Sequence, residues 1–309
     1  MFCELTITSN FTFLTGASHP EEYMNRAALL GIEAIVIADD NSVAGIVRAH
    51  TEARKIAIAV KERQDFDAIW GLIGPPLPNH LLKSSYVSIV TTPRLIPGAR
   101  LIFSDAPPIT VLPQDRDGWR SLCRIISRGR LKAKKGVCSL QLSDLEEFKN
   151  GLNLLIWPQV QIVEDCPVDW QQIAQRLMRC FNGKIYVLMV PYYNGHDAAR
   201  FEYIADQAQN LGLPTLASAA PYMHHGARRK LADVVTAIRT GSRVDDLGRS
   251  ALANGEGRLR SEAEMQRLFA GHQDSVMRTG ILARKLTFSL DQLRYEYPSE
   301  ITGTENPTQ

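Results

Sequence analysis

The stretch ELTITSNFTFLTGASHPEE, residues 4–22, carries the pattern from which the fold is read. FCELTITS, residues 2–9, alternates and is rich in β-formers, so it predicts a first strand. A loop, NFTFLTGA, follows. Ser18, Pro20 and Glu21 then mark a helix start: serine as N-cap, proline in the first turn, glutamate three residues after the serine. That helix ends at Gly31, a residue suited to the turn that closes a helix. IEAIVIADD, residues 32–40, predicts a buried strand, and NSVAGIVRAHTEARKIA, residues 41–57, a second helix. Strand, helix, strand, helix in this order implies parallel strands joined by helical crossovers.

The rhythm breaks over residues 58–93, where IWGLIGPPLPNHLLKSSYVSIVTTP is rich in proline and turn residues. This segment is expected to be an irregular insertion with one short strand, SYVSIVT. Order returns at Arg94. RLIPGARLIFSD and PITVLPQ read as paired strands, and DRDGWRSLCRIISRGRLKA as a helix running into a basic segment. Ser143 to Glu146 reads as a capping box. LNLLIWP, KIYVLMVP and LPTLASAAP are further strands, separated by the helices VDWQQIAQRLMRCF and DAARFEYIADQAQNLG. RRKLADVVTAIRTG is helical, Ser261 to Glu264 caps another helix, and DSVMRTGILARKL is the last. The expected organisation is an α/β barrel domain over residues 1–245 and a helical extension over residues 246–309.

The 309 residues are enough to bury a sizeable core. Apolar residues make up 45% and charged residues 22%, the balance of a globular protein. A formal net charge of +2 argues against a surface that binds nucleic acid everywhere, and leaves room for a local basic patch. Cys3, Cys123, Cys138, Cys166 and Cys180 are odd in number and form no C-x-x-C pair. That argues against a zinc ribbon or disulfide framework. No apolar run reaches the ~20 residues of a membrane span, and no signal peptide is read at the N-terminus. A cytoplasmic location and no membrane partner are expected.

Five segments in order resemble one family: ELTITSNFTFLTGASHPEE, ALLGIEAIVIADDNSVAGIVRAH, GWRSLCRIISRGRLKAKKG, RLRSEAEMQRLF and FSLDQLRYEYPSE. Together they resemble the N-terminal region of bacterial error-prone DNA polymerases, homologues of the replicative polymerase III α subunit. That region is a PHP (polymerase and histidinol phosphatase) domain. The resemblance covers nearly the whole chain except residues 58–93. It implies a distorted (β/α)7 barrel with a metal site at the C-terminal ends of the strands, where α/β barrels place their sites.

The resemblance also implies where metal ligands would stand. Active members carry His-x-His on the first strand, and the matching residues here are Thr6 and Thr8. A threonine hydroxyl is a poor ligand for a borderline ion. The Asp-His of the second strand corresponds to Asp39 and Asp40. The glutamate after Gly-Ala corresponds to Arg100, a cation where a cation would be bound. The last Asp-x-His corresponds to Ala220 and Tyr222. The residual candidate ligands are Asp39, Asp40, His196, His224 and His225. The expectation is a degenerate site, no catalytic residue and no cofactor for this chain. Full-length family members use Mg2+.

Other constellations stand outside that pattern. Asp65-Phe66-Asp67 has the spacing of a two-metal carboxylate pair, but the spacing is common by chance. Arg124, Arg128, Arg130, Lys132, Lys134 and Lys135 form the densest basic run. It is a candidate DNA contact, or a solvated helix end whose cations suit the dipole, and no aromatic residue interleaves to stack bases. His196-Asp197 follows a strand and reads as a loop with a helix cap; His19 reads as local structure. The resemblance implies that palm, fingers, thumb and clamp-binding parts lie beyond Gln309, so the chain is expected to be a fragment or a truncated product. It further implies mutagenesis accessory proteins and a sliding clamp as partners of the whole polymerase, and translesion synthesis as its setting. The leading reading is a non-catalytic scaffold domain. The alternatives are an independent metal-dependent phosphoesterase and a free-standing interaction module.

Overall fold

Buried on both faces, a barrel strand sends alternate side chains to different layers, and the chain sorts them this way. The computed structural model describes residues 1–70, 91–158 and 169–293. Its elements run β1 (Glu4–Ile7), α1 (Pro20–Leu29), β2 (Ala34–Ile37), α2 (Ile46–Trp70), β3 (Arg94–Pro97), β4 (Ala99–Leu101) and β5 (Ile109–Pro113). They continue with α3 (Arg116–Leu131), α4 (Leu142–Glu147), β6 (Leu152–Ile156), α5 (Trp170–Met178), β7 (Ile185–Met189), α6 (Asp197–Asn210) and β8 (Thr215–Ala217). Three helices follow: α7 (Arg229–Thr240), α8 (Glu262–Leu268) and α9 (Gln273–Lys285). An inner cluster takes Leu5, Val36, Ile96, Leu112, Leu155, Leu188 and Leu216 from successive strands. Their neighbours Ile35, Ile37, Val111, Leu154 and Val187 join outer clusters beneath the helices.

The strands form two sheets. β1, β2 and β3 are parallel. β4–β5 and β5–β6 are antiparallel, and β6–β7 and β7–β8 are parallel. RLIPGARLIFSD is therefore not one strand paired with PITVLPQ. Its first half pairs with β2 and its second half, β4, pairs with β5. The break is Gly98, where a Cβ would lie 2.7 Å from Val36 Cγ1 and 2.8 Å from Leu112 Cδ2. The sheets join where the Arg100 amide donates to Asp39 O at 3.1 Å and the Asn41 amide donates to Arg100 O at 2.9 Å. β3 and β4 thus make one stave, and the ring is β1, β2, β3/β4, β5, β6, β7 and β8, the expected distorted (β/α)7 barrel.

Several local readings are corrected. α2 runs on to Trp70, so residues 58–70 are helical rather than irregular. Strong helix formers, AVKERQ, extend it, and Val60 packs on the outer core. The Asp65–Asp67 pair therefore sits on a helix. The strand expected at SYVSIVT falls, apart from Thr91, outside the described residues. The N-cap of α1 is His19, not Ser18; the His19 amide donates to Glu22 Oε2 at 2.8 Å. α4 begins after Gln141, whose amide donates to Asp144 Oδ2 at 3.0 Å, so Ser143 is inside the helix. The Ser261–Glu264 box of α8 is present as read.

α9 covers the end of the barrel where the strands start. Leu282 and Ala283, with Leu286 beyond it, enter the inner cluster. The Cys3 amide donates to Thr279 Oγ1 at 3.0 Å, and Arg94 donates to Ala283 O and Leu286 O. The seam between β1 and β8 is closed largely by a side chain. Glu4 is fully buried and accepts from Ser218 Oγ, from the Ala219 amide at 3.0 Å and from the Thr6 amide at 3.3 Å. Burial outweighs these bonds and pushes its carboxyl from 4.5 up to about 7.

The folded state therefore holds the Glu4 proton to higher pH than the unfolded chain. This contribution to stability is full below the ordinary glutamate range and is lost as pH rises through about 7. Its size is on the order of 3 kcal/mol. Glu4→Gln should flatten the pH dependence of the urea midpoint across that window. A variant with the same slope as the parent would disprove the role of Glu4.

Candidate functional site

The mouth of the barrel, at the C-terminal ends of the parallel strands, gathers the residues that the sequence singled out. Thr6 and Thr8 are both buried. Thr6 Oγ1 lies 3.3 Å from Thr110 Oγ1, which accepts the indole proton of Trp157 at 2.9 Å. Thr8 is held through its backbone. Its amide donates to Pro221 O at 3.1 Å, and its carbonyl accepts the Tyr23 hydroxyl at 3.1 Å.

Asp39 is committed to the loop after β1. Its carboxylate accepts from the Ser9 amide at 2.8 Å, Ser9 Oγ at 2.7 Å, the Thr12 amide at 3.2 Å and Thr12 Oγ1 at 2.8 Å. Burial still raises its pKa, against the pull of these bonds. A carboxylate with four donors has little lone-pair capacity left for a metal.

Asp40 is committed to Arg100. The guanidinium Nε donates to Asp40 Oδ1, and the Arg100 carbon Cζ sits 4.9 Å from the Trp157 ring centroid. The Arg100 side chain is 9% exposed and that of Asp40 29%. Burial works to lower the pKa of Arg100, but the Asp40 bond and charge raise it on balance. The guanidinium thus holds a permanent positive charge at the position the resemblance assigns to a ligand.

The far wall carries no replacement ligand. Ala220 is buried with φ of 43°, in the left-handed region, and its amide donates to Ser218 Oγ at 2.8 Å. The Tyr222 amide donates to Gly257 O at 2.9 Å. With Trp157, Tyr192, Tyr193 and Leu252, these two residues line a cavity of about 220 Å3. Asn41 and Tyr193 also have positive φ, 47° and 54°. Left-handed backbone at a non-glycine residue costs about 1–2 kcal/mol and collects at functional sites. The mouth therefore keeps strained backbone in three places without a set of metal ligands.

The histidines are elsewhere. His224 Nδ1 lies 2.9 Å from Ser18 Oγ, and burial lowers its pKa. His225 caps the short turn Gly226–Arg228, its Nδ1 accepting from the Ala227 amide at 3.1 Å. His196 is exposed at the start of α6. Among the described residues, no three His, Cys, Asp or Glu side chains come together as a metal site. The residual candidate ligands are thus not brought together. Sequence reading missed Glu4, Thr110 and Trp157. Only Glu4 carried a signal, a lone carboxylate in a strand otherwise fit for burial.

The basic run is divided by its partners. Arg128 Nη2 donates to Glu147 Oε1 at 2.8 Å, and Lys132 Nζ lies 2.6 Å from Asp144 Oδ1. Arg130 Nη2 donates to Asn41 O at 2.9 Å, tying α3 to the barrel mouth. Lys134 and Lys135 are exposed past the end of α3.

Comparison with known proteins places these observations. Residues 4–187 match the PHP domain family. An error-prone DNA polymerase of Ruegeria pomeroyi is 37% identical over 99% of this chain and 28% of its own length. One from Rhodopseudomonas palustris is 35% identical over 97% of this chain and 24% of its own length. One from Sinorhizobium medicae is 35% identical over 100% and 24% respectively. The chain thus spans about a quarter of the length of the curated relatives it matches. No helix among the described residues is long and apolar enough to cross a membrane.

Removing Arg100 should strand the Asp40 carboxylate in a half-buried place. Arg100→Met is expected to destabilise the fold by roughly 2–4 kcal/mol in urea unfolding. A double-mutant cycle with Asp40→Asn should return a coupling of at least about 1 kcal/mol. A single-variant loss under ~0.5 kcal/mol would show that the pair is not structural.

Proposed function

Since this chain belongs to the PHP domain family, we propose that it is the catalytically silent PHP domain of an error-prone DNA polymerase. The observation that carries this reading is the Arg100–Asp40 pair in the barrel mouth. A phosphoesterase centre needs close-set cations to activate water and to stabilise charge on phosphate. The residues present do not fit such ions. One aspartate is saturated by Ser9 and Thr12, the other is paired with a buried guanidinium, and the remaining positions are Thr6, Thr8, Ala220 and Tyr222. No hydrolytic step is derived for this chain, and no observation favours the independent phosphoesterase reading.

The role left to the domain is a scaffold. Its packing supports the remainder of a much longer polymerase, with palm, fingers and thumb as its neighbours. DNA synthesis with Mg2+, action across damaged templates, and contacts with accessory proteins and a sliding clamp belong to the whole enzyme. A fold kept for packing explains how an intact barrel outlasts its ligands.

The test is metal binding and hydrolysis on the purified chain. After dialysis against Mn2+ or Zn2+, elemental analysis should find less than one tightly held ion per chain. Hydrolysis of a generic phosphodiester should not exceed the buffer blank, and primer extension should be absent. Two or more bound ions, with hydrolysis that a chelator abolishes, would overturn the reading.

A further inference from the structure

A second groove lies away from the barrel mouth. It lies along the outer face of α3, has a volume of about 790 Å3, and ends against Phe148 and Leu293. Arg116, Arg120, Arg124, Arg128 and Lys132 all line it. They recur every four residues, so successive cations rise by about 6 Å along the helix. Two of these cations are paired: Arg128 with Glu147, and Lys132 with Asp144 at 2.6 Å. Arg120 meets Asp117 at 3.1 Å, but both side chains are more than half exposed, which makes that pair weak. Arg116 and Arg124 form no ion pair among the described residues.

The floor between the cations is apolar. Trp119 lies in it with its ring stacked on Phe288 at 5.2 Å. Phe148 lies under the Arg128 guanidinium at 4.7 Å. Leu131 is 87% exposed and faces the same groove. The sequence run from Arg124 to Lys135 has no interleaved aromatic residue. Folding supplies two, from the first turn of α3 and from the residue after α4.

We propose that this groove binds single-stranded DNA. A ladder of evenly spaced cations matches a polymer that carries one charge per nucleotide, and guanidinium groups pair with phosphate through two bonds at once. An apolar floor between them offers surface to unstacked bases, as single-strand sites do. An acidic peptide would satisfy the charge but has no need of the regular repeat. The binding strand is held by α3 itself and does not involve the barrel mouth.

The experiment is fluorescence anisotropy of the full chain with a labelled oligothymidylate of about 16 nucleotides. Binding should weaken with salt, with a log–log slope of about −2 for roughly three phosphates neutralised by Arg116, Arg120 and Arg124. Arg120→Glu combined with Arg124→Glu should weaken binding by at least about tenfold. Arg54→Glu with Lys61→Glu, the same charge change on exposed positions of α2, should change it by less than about twofold. If the reversed pair unfolds the helix by circular dichroism, Arg120→Gln with Arg124→Gln replaces it and should still weaken binding by about threefold. Absence of binding at low salt, equal loss in both pairs, or displacement by polyglutamate as readily as by unlabelled DNA would each overturn the proposal.

Discussion

Two junctions close the sheets into a ring, the Glu4 seam between β1 and β8 and the one that Arg100 makes, and the second carries the buried charge pair of the mouth. The Arg100 backbone takes an amide bond from Asn41 and gives one to Asp39, so the three-stranded and five-stranded sheets become one wall. Its side chain then reaches across the same junction to Asp40 and lies over Trp157. A divalent cation in an active relative would draw neighbouring strands together by shared ligands. Here a covalently attached cation does so. The guanidinium needs no external ion and cannot lose its charge. That links architecture to chemistry: the guanidinium that ties the strands together also fills a position the resemblance assigns to a metal ligand.

The surroundings have adjusted in the same direction. Thr6, Thr110 and Trp157 satisfy one another in a short polar chain. Asp39 has become the anchor of the loop that leads into α1, through Ser9 and Thr12. Buried polar groups are costly when unpaired, and Thr6, Asp39 and Thr110 each have an internal partner. Asn41, Tyr193 and Ala220 hold positive φ angles around the same mouth.

Much of the fold was legible in the sequence, because a parallel strand buried on both faces reads as an apolar run and its crossover helix as a 3.6-residue period. Val36, Leu188 and Leu216 sit in runs of this kind, and each became a stave. What was not legible depended on partners distant in sequence. Gly98 splits a strand because Val36 and Leu112 approach it. Ser18 is not the cap of α1, and its hydroxyl lies 2.9 Å from Nδ1 of His224, 206 residues away. Pattern alone does not separate a long helix from the start of an irregular segment, and the prolines from Pro75 onward obscured the helical AVKERQ before them. The positions that the resemblance assigns to ligands could be read from the sequence, but their partners in the fold could not. The cations that line one groove along α3 stand four residues apart, a spacing that adjacency in sequence does not display.

The seam between β1 and β8 sets an order on assembly. β1 has a partner in β2 soon after it is made, but its other edge waits for Ser218 and Ala219, 214 and 215 residues later. Contacts of such separation form late, after the chain between them has already condensed. On the ribosome the ring therefore remains an open, curved sheet until nearly the whole barrel has emerged. Through that interval the Glu4 carboxylate lies in water as an anion. Between the ordinary glutamate range and about pH 7, Glu4 on β1 takes up a proton as Ser218 and Ala219 dock against it, so closing the barrel is coupled to proton uptake.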